Sequence, residues 1–302
     1  LAVRSRGGGC VGTGHHHGKS ENMSYTRQLK FDEIGYWSEI KLDIVKNYAS
    51  AYSKILAAQE KPNLYHVYID AFAGGGVHIS KKTGEYVAGS PVNALLVKPP
   101  FREHYLIDVD QQKIAALRAF VAGRSDVHVF EGDCNAILLQ HVFPHVRYDQ
   151  YRRGLCLLDP YGLHLQWQVI EMAGRAQSID MFLNFPVADM NRNVLWRHPE
   201  GVDPTDIKRM NDFWGDESWR QVAYTTEKDL FGHLEKEENA VVAEGFRQRL
   251  QKIAGFKHVP EPLPMRNSKG AVVYYLFFAS QKPAAEHIIT DIFNKYRQRG
   301  AK

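Results

Sequence analysis

The stretch Tyr68-Ile69-Asp70-Ala71-Phe72-Ala73-Gly74-Gly75-Gly76 joins an apolar run to a glycine cluster. A hydrophobic strand that ends in glycines lets the backbone pass close to a ligand, because no Cβ intervenes. Loops of this kind hold more than one nucleotide cofactor, and spacing separates them. The dinucleotide fingerprint GxGxxG requires glycine or alanine at position 79, where Ile79 stands. It also places an acidic residue about 20 residues on, at the end of the next strand. The candidate for that place, Asp108, lies 32 residues past Gly76. A nicotinamide dinucleotide is excluded on both counts.

Around this loop the chain keeps a repeated rhythm. Short apolar runs at residues 66–72, 104–109, 127–130, 155–158 and 179–185 each end in a small or acidic residue, with helical stretches between them. Strands alternating with helices predict βαβ units and a mainly parallel sheet covered on both faces. An amphipathic helix precedes them over residues 35–56, with Trp37, Ile40, Ile44, Val45, Tyr48, Tyr52 and Ile55 on one stripe. Residues 187–240 interrupt the rhythm with Trp196, Trp214 and Trp219 and show no strand alternation, which predicts a helical insertion whose tryptophans form its core. A helix over 240–253 follows. The segment 258–265, the turn Asn267-Ser268-Lys269-Gly270 and the β-run 271–280 read as a hairpin, closed by a helix over 284–299. The expectation is an α/β, Rossmann-like fold: a seven-stranded mixed sheet with an antiparallel terminal hairpin and a helical insertion.

In such sheets ligands bind at the carboxyl ends of the strands. The second run finishes Leu106-Ile107-Asp108-Val109-Asp110 and the third Phe130-Glu131-Gly132-Asp133-Cys134. A carboxylate at Asp108 can accept both hydroxyls of a ribose, and one at Asp133 can accept an adenine amino group. Each aspartate also reads as a helix N-cap; three acidic strand ends in order after a glycine loop are harder to explain by capping. The pattern D-x-F-x-G-x-G resembles the S-adenosylmethionine loop of class I methyltransferases. That resemblance implies S-adenosylmethionine as cofactor, bound by Asp70, Phe72, Gly74, Gly76, Asp108, Asp133 and Cys134.

The fourth run ends Leu158-Asp159-Pro160-Tyr161-Gly162. It resembles the (Asp/Asn)-Pro-Pro-(Tyr/Phe) tetrad of amino-group methyltransferases. An exocyclic amino nitrogen is a poor nucleophile, since its lone pair is delocalised into the ring. Accepting its hydrogens directs the lone pair toward the methyl group, so positioning supplies much of the acceleration. The aromatic ring then stacks on an unpaired or extruded base. Asp159, Pro160, Tyr161 and Gly162 are the candidate catalytic residues on this reading, and a tight strand-exit turn is the plainer one. Tyr161 stands third and Gly162 fourth, an order more like tRNA guanine-N2 methyltransferases, which weakens any stacking on a flipped adenine. Gly89-Ser90-Pro91 is similar to an element of some ribosomal-RNA adenine-N6 methylases; a helix start fits it equally well. His164 is a candidate base, and Asn191-Arg192-Asn193 a candidate anion contact or loop–helix junction.

Taken together, the opening helix with Trp37, IDAFAGGG, GSPVNALLV, LIDVD, LLDPYGL and FLNFPVADMNRN (the last reaching Asn193) make the chain from about Gly35 onward resemble the three-Cys-motif partner protein family. The resemblance implies a class I methyltransferase-like protein with a cysteine-motif partner protein and leaves the acceptor open. The alternative to an active nucleobase methyltransferase is a cofactor-binding partner module that has lost transfer.

Composition narrows the rest. Length and 44% apolar content suit one large domain over 23–302. The longest apolar run, residues 271–279, is far short of the about 20 residues needed to span a bilayer, so no membrane is expected. Cys10, Cys134 and Cys156 form no CxxC pair, which excludes a disulfide scaffold and structural zinc and suits a cytoplasmic protein. Both domain cysteines read as inert buried thiols. Residues 1–22, glycine-rich with His15, His16 and His17, read as a tag-derived or disordered tail. Its Gly18-Lys19-Ser20 is no phosphate loop, since Thr13 stands where glycine is required. Residues 241–302 hold eleven Lys/Arg against four Asp/Glu, and residues 24–240 carry a net −5. A basic C-terminal quarter on an acidic body suggests a polyanion-facing surface, with nucleic acid as partner; a solvated helix face is the bland reading.

Overall fold

The computed structural model describes residues 32–228 and 234–299. The tail over residues 1–22 lies outside them. A short strand β1 (Asp32–Ile34) and the long helix α1 (Tyr36–Ala57) lead into β2 (Tyr65–Asp70), β3 (Val77–Ser80), β4 (Tyr86–Ala88) and helix α2 (Ser90–Leu95). Next come β5 (Glu103–Asp108), α3 (Gln111–Phe120), β6 (Val127–Glu131) and α4 (Cys134–Ile137). Then follow β7 (Arg152–Leu158), α5 (Trp167–Ala176), β8 (Ile179–Phe185) and α6 (Val187–Asn193). The inserted stretch holds α7 (Pro204–Trp214), α8 (Trp219–Ala223), β9 (Tyr224–Lys228) and β10 (Leu234–Lys236). The chain finishes with α9 (Asn239–Lys252), β11 (Leu263–Arg266), β12 (Val272–Ala279) and α10 (Pro283–Arg299).

Seven strands form one sheet in the order β11-β12-β8-β7-β2-β5-β6. All neighbours pair in parallel except β12, which runs antiparallel to both β8 and β11. This is the class I methyltransferase arrangement, with the terminal hairpin inserted beside the fifth parallel strand. The strand order reverses between β2 and β7, the kind of switch point at whose carboxyl ends open α/β sheets bind their ligands.

The strands read as apolar runs because both faces are covered. Val67, Ile69, Cys156, Leu158, Met181 and Leu183 face one layer, which includes α5, α7 and α9. Tyr68, Leu106, Leu155, Leu157, Phe182 and Phe278 face the other, under α1, α3 and α10. The period of two alone determines which side each residue serves. On the second side, Tyr48 of α1 meets Phe182 edge-on with ring centroids 5.4 Å apart. On the first, Phe246 of α9 contacts Phe185, Phe213, Trp214 and Phe277.

Two parts differ from the sequence reading. The 187–240 insertion is not wholly helical, since β9 and β10 form an antiparallel pair. Trp214 and Trp219 are its buried core, while Trp196 is partly exposed with its indole N–H on the Arg192 carbonyl. The chain after the glycine loop enters no helix. It makes the β3–β4 hairpin, and β1 pairs alongside β3 to give a three-stranded sheet. Three- and four-residue strands are too short to show a period in sequence.

Candidate functional site

The glycine loop is clamped at the switch point. Its Ala71 N–H donates to the Leu157 carbonyl of β7, and its Ala73 N–H to the Ile107 carbonyl of β5. Gly74 (φ +62°) and Gly76 (φ +86°) are left-handed, where a side chain is strained. The Gly74 N–H donates to Asp108 Oδ2 at 2.8 Å, and the Asp110 N–H to Asp108 Oδ1 at 2.8 Å. In LIDVD, therefore, the first aspartate braces the glycine loop. The second caps α3, accepting from the N–H groups of Gln112 and Lys113.

Asp70 ends β2 completely buried. Burial pushes its carboxyl up to about 6, against the opposing hydrogen bonds from the Ser90 hydroxyl and the Phe72 N–H. The charge of Asp159 adds to the rise. Gly89-Ser90-Pro91 is both a helix start and a lock on the loop: its serine donates to Asp70, and its Gly89 N–H donates to the Gly76 carbonyl at 2.8 Å. A Cβ on Gly89 would stand 2.9 Å from that carbonyl oxygen. Phe72 is partly buried against the core beneath.

Asp133 is exposed and caps α4, accepting from the N–H groups of Asn135 and Ala136. Asn135 in turn ties the cap to the chain beyond Gly162, donating to the His164 carbonyl at 3.0 Å and accepting from the Gln166 N–H at 2.8 Å. Cys134 is buried, and burial followed by the Asp133 charge pushes its thiol up to about 12. It is no nucleophile.

Asp159 carries an ion pair with Lys41 of α1 that sequence reasoning missed. The lysine is only 8% exposed. Burial alone would lower its pKa, but the Asp159 charge overcomes that and raises it, aided by Tyr274. The Tyr274 ring centre lies 5.3 Å from Nζ. A signal was available: Lys41 stands four residues after Trp37 and four before Val45, on the buried stripe of α1. By strand alternation Asp70, Asp159 and Asn184 share the α1 side of the sheet, ending three adjacent strands. Asn184 is 8% exposed and its Oδ1 is buried without a hydrogen-bond partner.

Pro160 is buried, and the Tyr161 side chain is largely exposed, with Lys113 Nζ 5.8 Å from its ring centre. Gly162 (φ +75°) admits Asp189 of α6: a Cβ there would fall 2.5 Å from Asp189 Oδ2. Asp189 accepts from the Asn193 side chain at 2.9 Å and lies 3.6 Å from Arg209 of α7. Asn191 bonds Asn239 and Lys236, so the Asn191-Arg192-Asn193 stretch is a structural junction. His164 is exposed. His78 of β3, also unforeseen, stands over the loop. Its Cε1 is 4.0 Å from where a Gly74 Cβ would be, and burial lowers its pKa.

The structure thus brings Asp70, Gly74, Gly76, Asp108 and Asp159 together at the carboxyl ends of the strands around the β2/β7 switch, with Tyr161 and Asp133 at the surface. Among the described residues no cluster of three or more His, Cys, Asp or Glu could hold a metal, and no helix is long and apolar enough to cross a membrane. Three arginines of the basic C-terminal quarter are engaged internally. Arg249 bonds the Trp214 carbonyl and Asp216, Arg247 the Val259 carbonyl, and Arg297 the Glu261 carbonyl.

No protein-family model and no curated protein matches the chain. Among solved structures, a Legionella pneumophila protein is similar at 14% identity and a TM-score of 0.48, over 84% of this chain and 92% of that one. A SAM-dependent methyltransferase of Leishmania major is similar at 11% identity and a TM-score of 0.37, over 79% and 72%. Trm5b of Pyrococcus abyssi is similar at 15% identity and a TM-score of 0.34, over 77% and 48%.

Proposed function

We propose that this chain is an S-adenosylmethionine-dependent methyltransferase acting on an amino group, with a nucleobase of RNA or DNA as the acceptor class. The observation that carries the reading is the β2/β7 switch, where an Asp108-braced glycine loop and Asp159 stand at neighbouring strand ends. The residues suit the cofactor. Each Asp108 oxygen accepts one backbone N–H and keeps lone-pair capacity for a ribose hydroxyl. Gly74 and Gly76 present bare backbone to the methionine moiety, and exposed Asp133 can accept an adenine amino group.

When bound, S-adenosylmethionine supplies an electrophilic methyl group on a positively charged sulfur. The chain's own residues hold the acceptor. Asp159 and the carbonyl beside Pro160 accept hydrogens of the target amino group, and the exposed Tyr161 ring offers a face for an unpaired base. The test is calorimetric titration with S-adenosylhomocysteine. Micromolar binding is expected, lost in Gly74→Leu and Asp108→Ala variants that keep their melting transition. No binding by the intact chain overturns the reading. Transfer of labelled methyl to fractionated cellular RNA and DNA identifies the acceptor.

The Lys41–Asp159 pair favours a second reading. An ammonium already holding the carboxylate suits a cofactor-binding module that works beside another protein, as the resemblance to the three-Cys-motif partner family implies. That module binds S-adenosylhomocysteine, labels no acceptor, and is indifferent to Asp159→Ala.

A further inference from the structure

A cavity of about 420 Å³ opens at the opposite end of the sheet from the glycine loop, where β7 and β8 begin and α10 starts. Ligand sites typically occupy about 300–1,000 Å³. The Tyr52, Leu56, Leu64 and Ile288 side chains give it apolar walls. Two cations line it beside an exposed tyrosine. The Arg153 guanidinium lies 3.8 Å from the Tyr148 ring centre, and Lys282 Nζ lies 5.4 Å from it. Arg153 Nη1 donates to the backbone carbonyls of Tyr148 and Arg152 and makes no direct ion pair with a carboxylate among the described residues, although its charge and that of Lys282 both act on Asp180. The carboxylate that lines the cavity, Asp180, accepts instead from the hydroxyls of Tyr48 at 2.6 Å and Ser280 at 2.5 Å.

The 17-residue helix α10 also starts at this wall, adding partial positive charge.

We propose that this cavity is a second ligand site, separate from the β2/β7 switch, for an aromatic organic acid. The ring fills the apolar wall, and the carboxylate meets Arg153 and Lys282. No chemistry is performed there, and the proposal does not rest on the function of the glycine-loop end.

Calorimetry on the full chain tests it with two probes. Indole-3-acetate has ring and charge; indole-3-ethanol has the ring without the charge. Indole-3-acetate is expected to bind at least about tenfold more tightly, a tenfold change being about 1.4 kcal/mol. Lys282→Gln, at an exposed position, is expected to weaken the acid severalfold and leave the alcohol unchanged. Arg153→Gln combined with Lys282→Gln should abolish the preference, with melting curves reporting the fold. Absence of binding, equal binding of acid and alcohol, an unchanged preference in folded variants, or displacement of the acid by S-adenosylhomocysteine each overturns the proposal.

Discussion

Replacing Asp70 by asparagine should stabilise the folded chain at neutral pH, although the Tyr68 hydroxyl and the Phe72 N–H both donate to Asp70. Its carboxyl is completely buried, and burial pushes it from 3.8 up to about 6. The folded state therefore holds this proton more tightly than the unfolded chain does. Between about pH 4 and 6 the native state binds more protons than the unfolded state, so stability falls as the pH rises through that window. Below it both states are protonated and the group contributes nothing; above it the full penalty applies. Two pKa units correspond to about 3 kcal/mol. Asparagine keeps the shape and stays neutral. Its Oδ1 still accepts from Ser90 and the Phe72 N–H, and its Nδ2 can donate to the Tyr68 hydroxyl oxygen. The value of about 6 already includes the hydrogen bonds that favour the charged form, so the expected gain is about 3 kcal/mol at neutral pH and none well below pH 4. Urea denaturation of both chains across this pH range measures it, with equal m-values showing that the same fold is being compared. A variant less stable than the parent at neutral pH, or one whose stability still falls between pH 4 and 6 with the parent's slope, would refute the reasoning.

Two further substitutions probe the switch point. Gly162→Ala puts a Cβ onto Asp189 at a left-handed backbone position and should cost about 2 kcal/mol. In an Asp189→Ala background the contact part of that loss is expected to disappear from the thermal melt, while the backbone part stays. Lys41→Met removes the counter-ion of Asp159. The Asp159 side chain is 27% exposed, so the expected loss is about 2 kcal/mol, below the 3–5 kcal/mol typical when one partner of a fully buried pair is removed. Adding Asp159→Leu should recover most of it in urea denaturation.

Much of the sheet was legible because each strand is doubly buried and ends in a marked residue. The run 179–185 coincides with β8, and the acidic ends at Asp108 and Asp133 sit where their spacing put them. Strands β1, β3 and β4 were not legible. A strand of three residues, half exposed, carries neither a period nor an apolar run, and the expected helix after a glycine loop displaced it. At the site, Asp108 and Gly74 were both identified but not their mutual bond, since a contact 34 residues apart is set by the sheet register. Lys41 and Asn184 were hidden by composition: a single polar residue on an apolar face changes no period. Only the anomaly of a lysine inside the Trp37–Val45 stripe could have pointed to it.

That lysine bears on which ligands the switch point admits. Asp70, Asp108 and Asp159 stand at the carboxyl ends of β2, β5 and β7, and Lys41 compensates Asp159. Lys113, the nearby cation of α3, is paired with Asp32 at 2.6 Å. Asp70 and Asp108 are held by neutral donors, Ser90 and backbone N–H groups among them. At an effective dielectric near 20, each unit charge brought to about 4 Å of a carboxylate changes the energy by about 4 kcal/mol, favourably for a cation and unfavourably for an anion. A pyrophosphate would carry that cost. It would also lack the helix N-terminus that usually offsets it, because the glycine loop runs into β3 and α2 does not start until Ser90. The missing glycine at Ile79 and the missing helix are thus one feature at two levels of description. The same negative field that disfavours a dinucleotide favours a ligand bearing a sulfonium or ammonium group. The cost of burying an ionised Asp70 is of the kind a protein carries at a functional site, and it adds to that field.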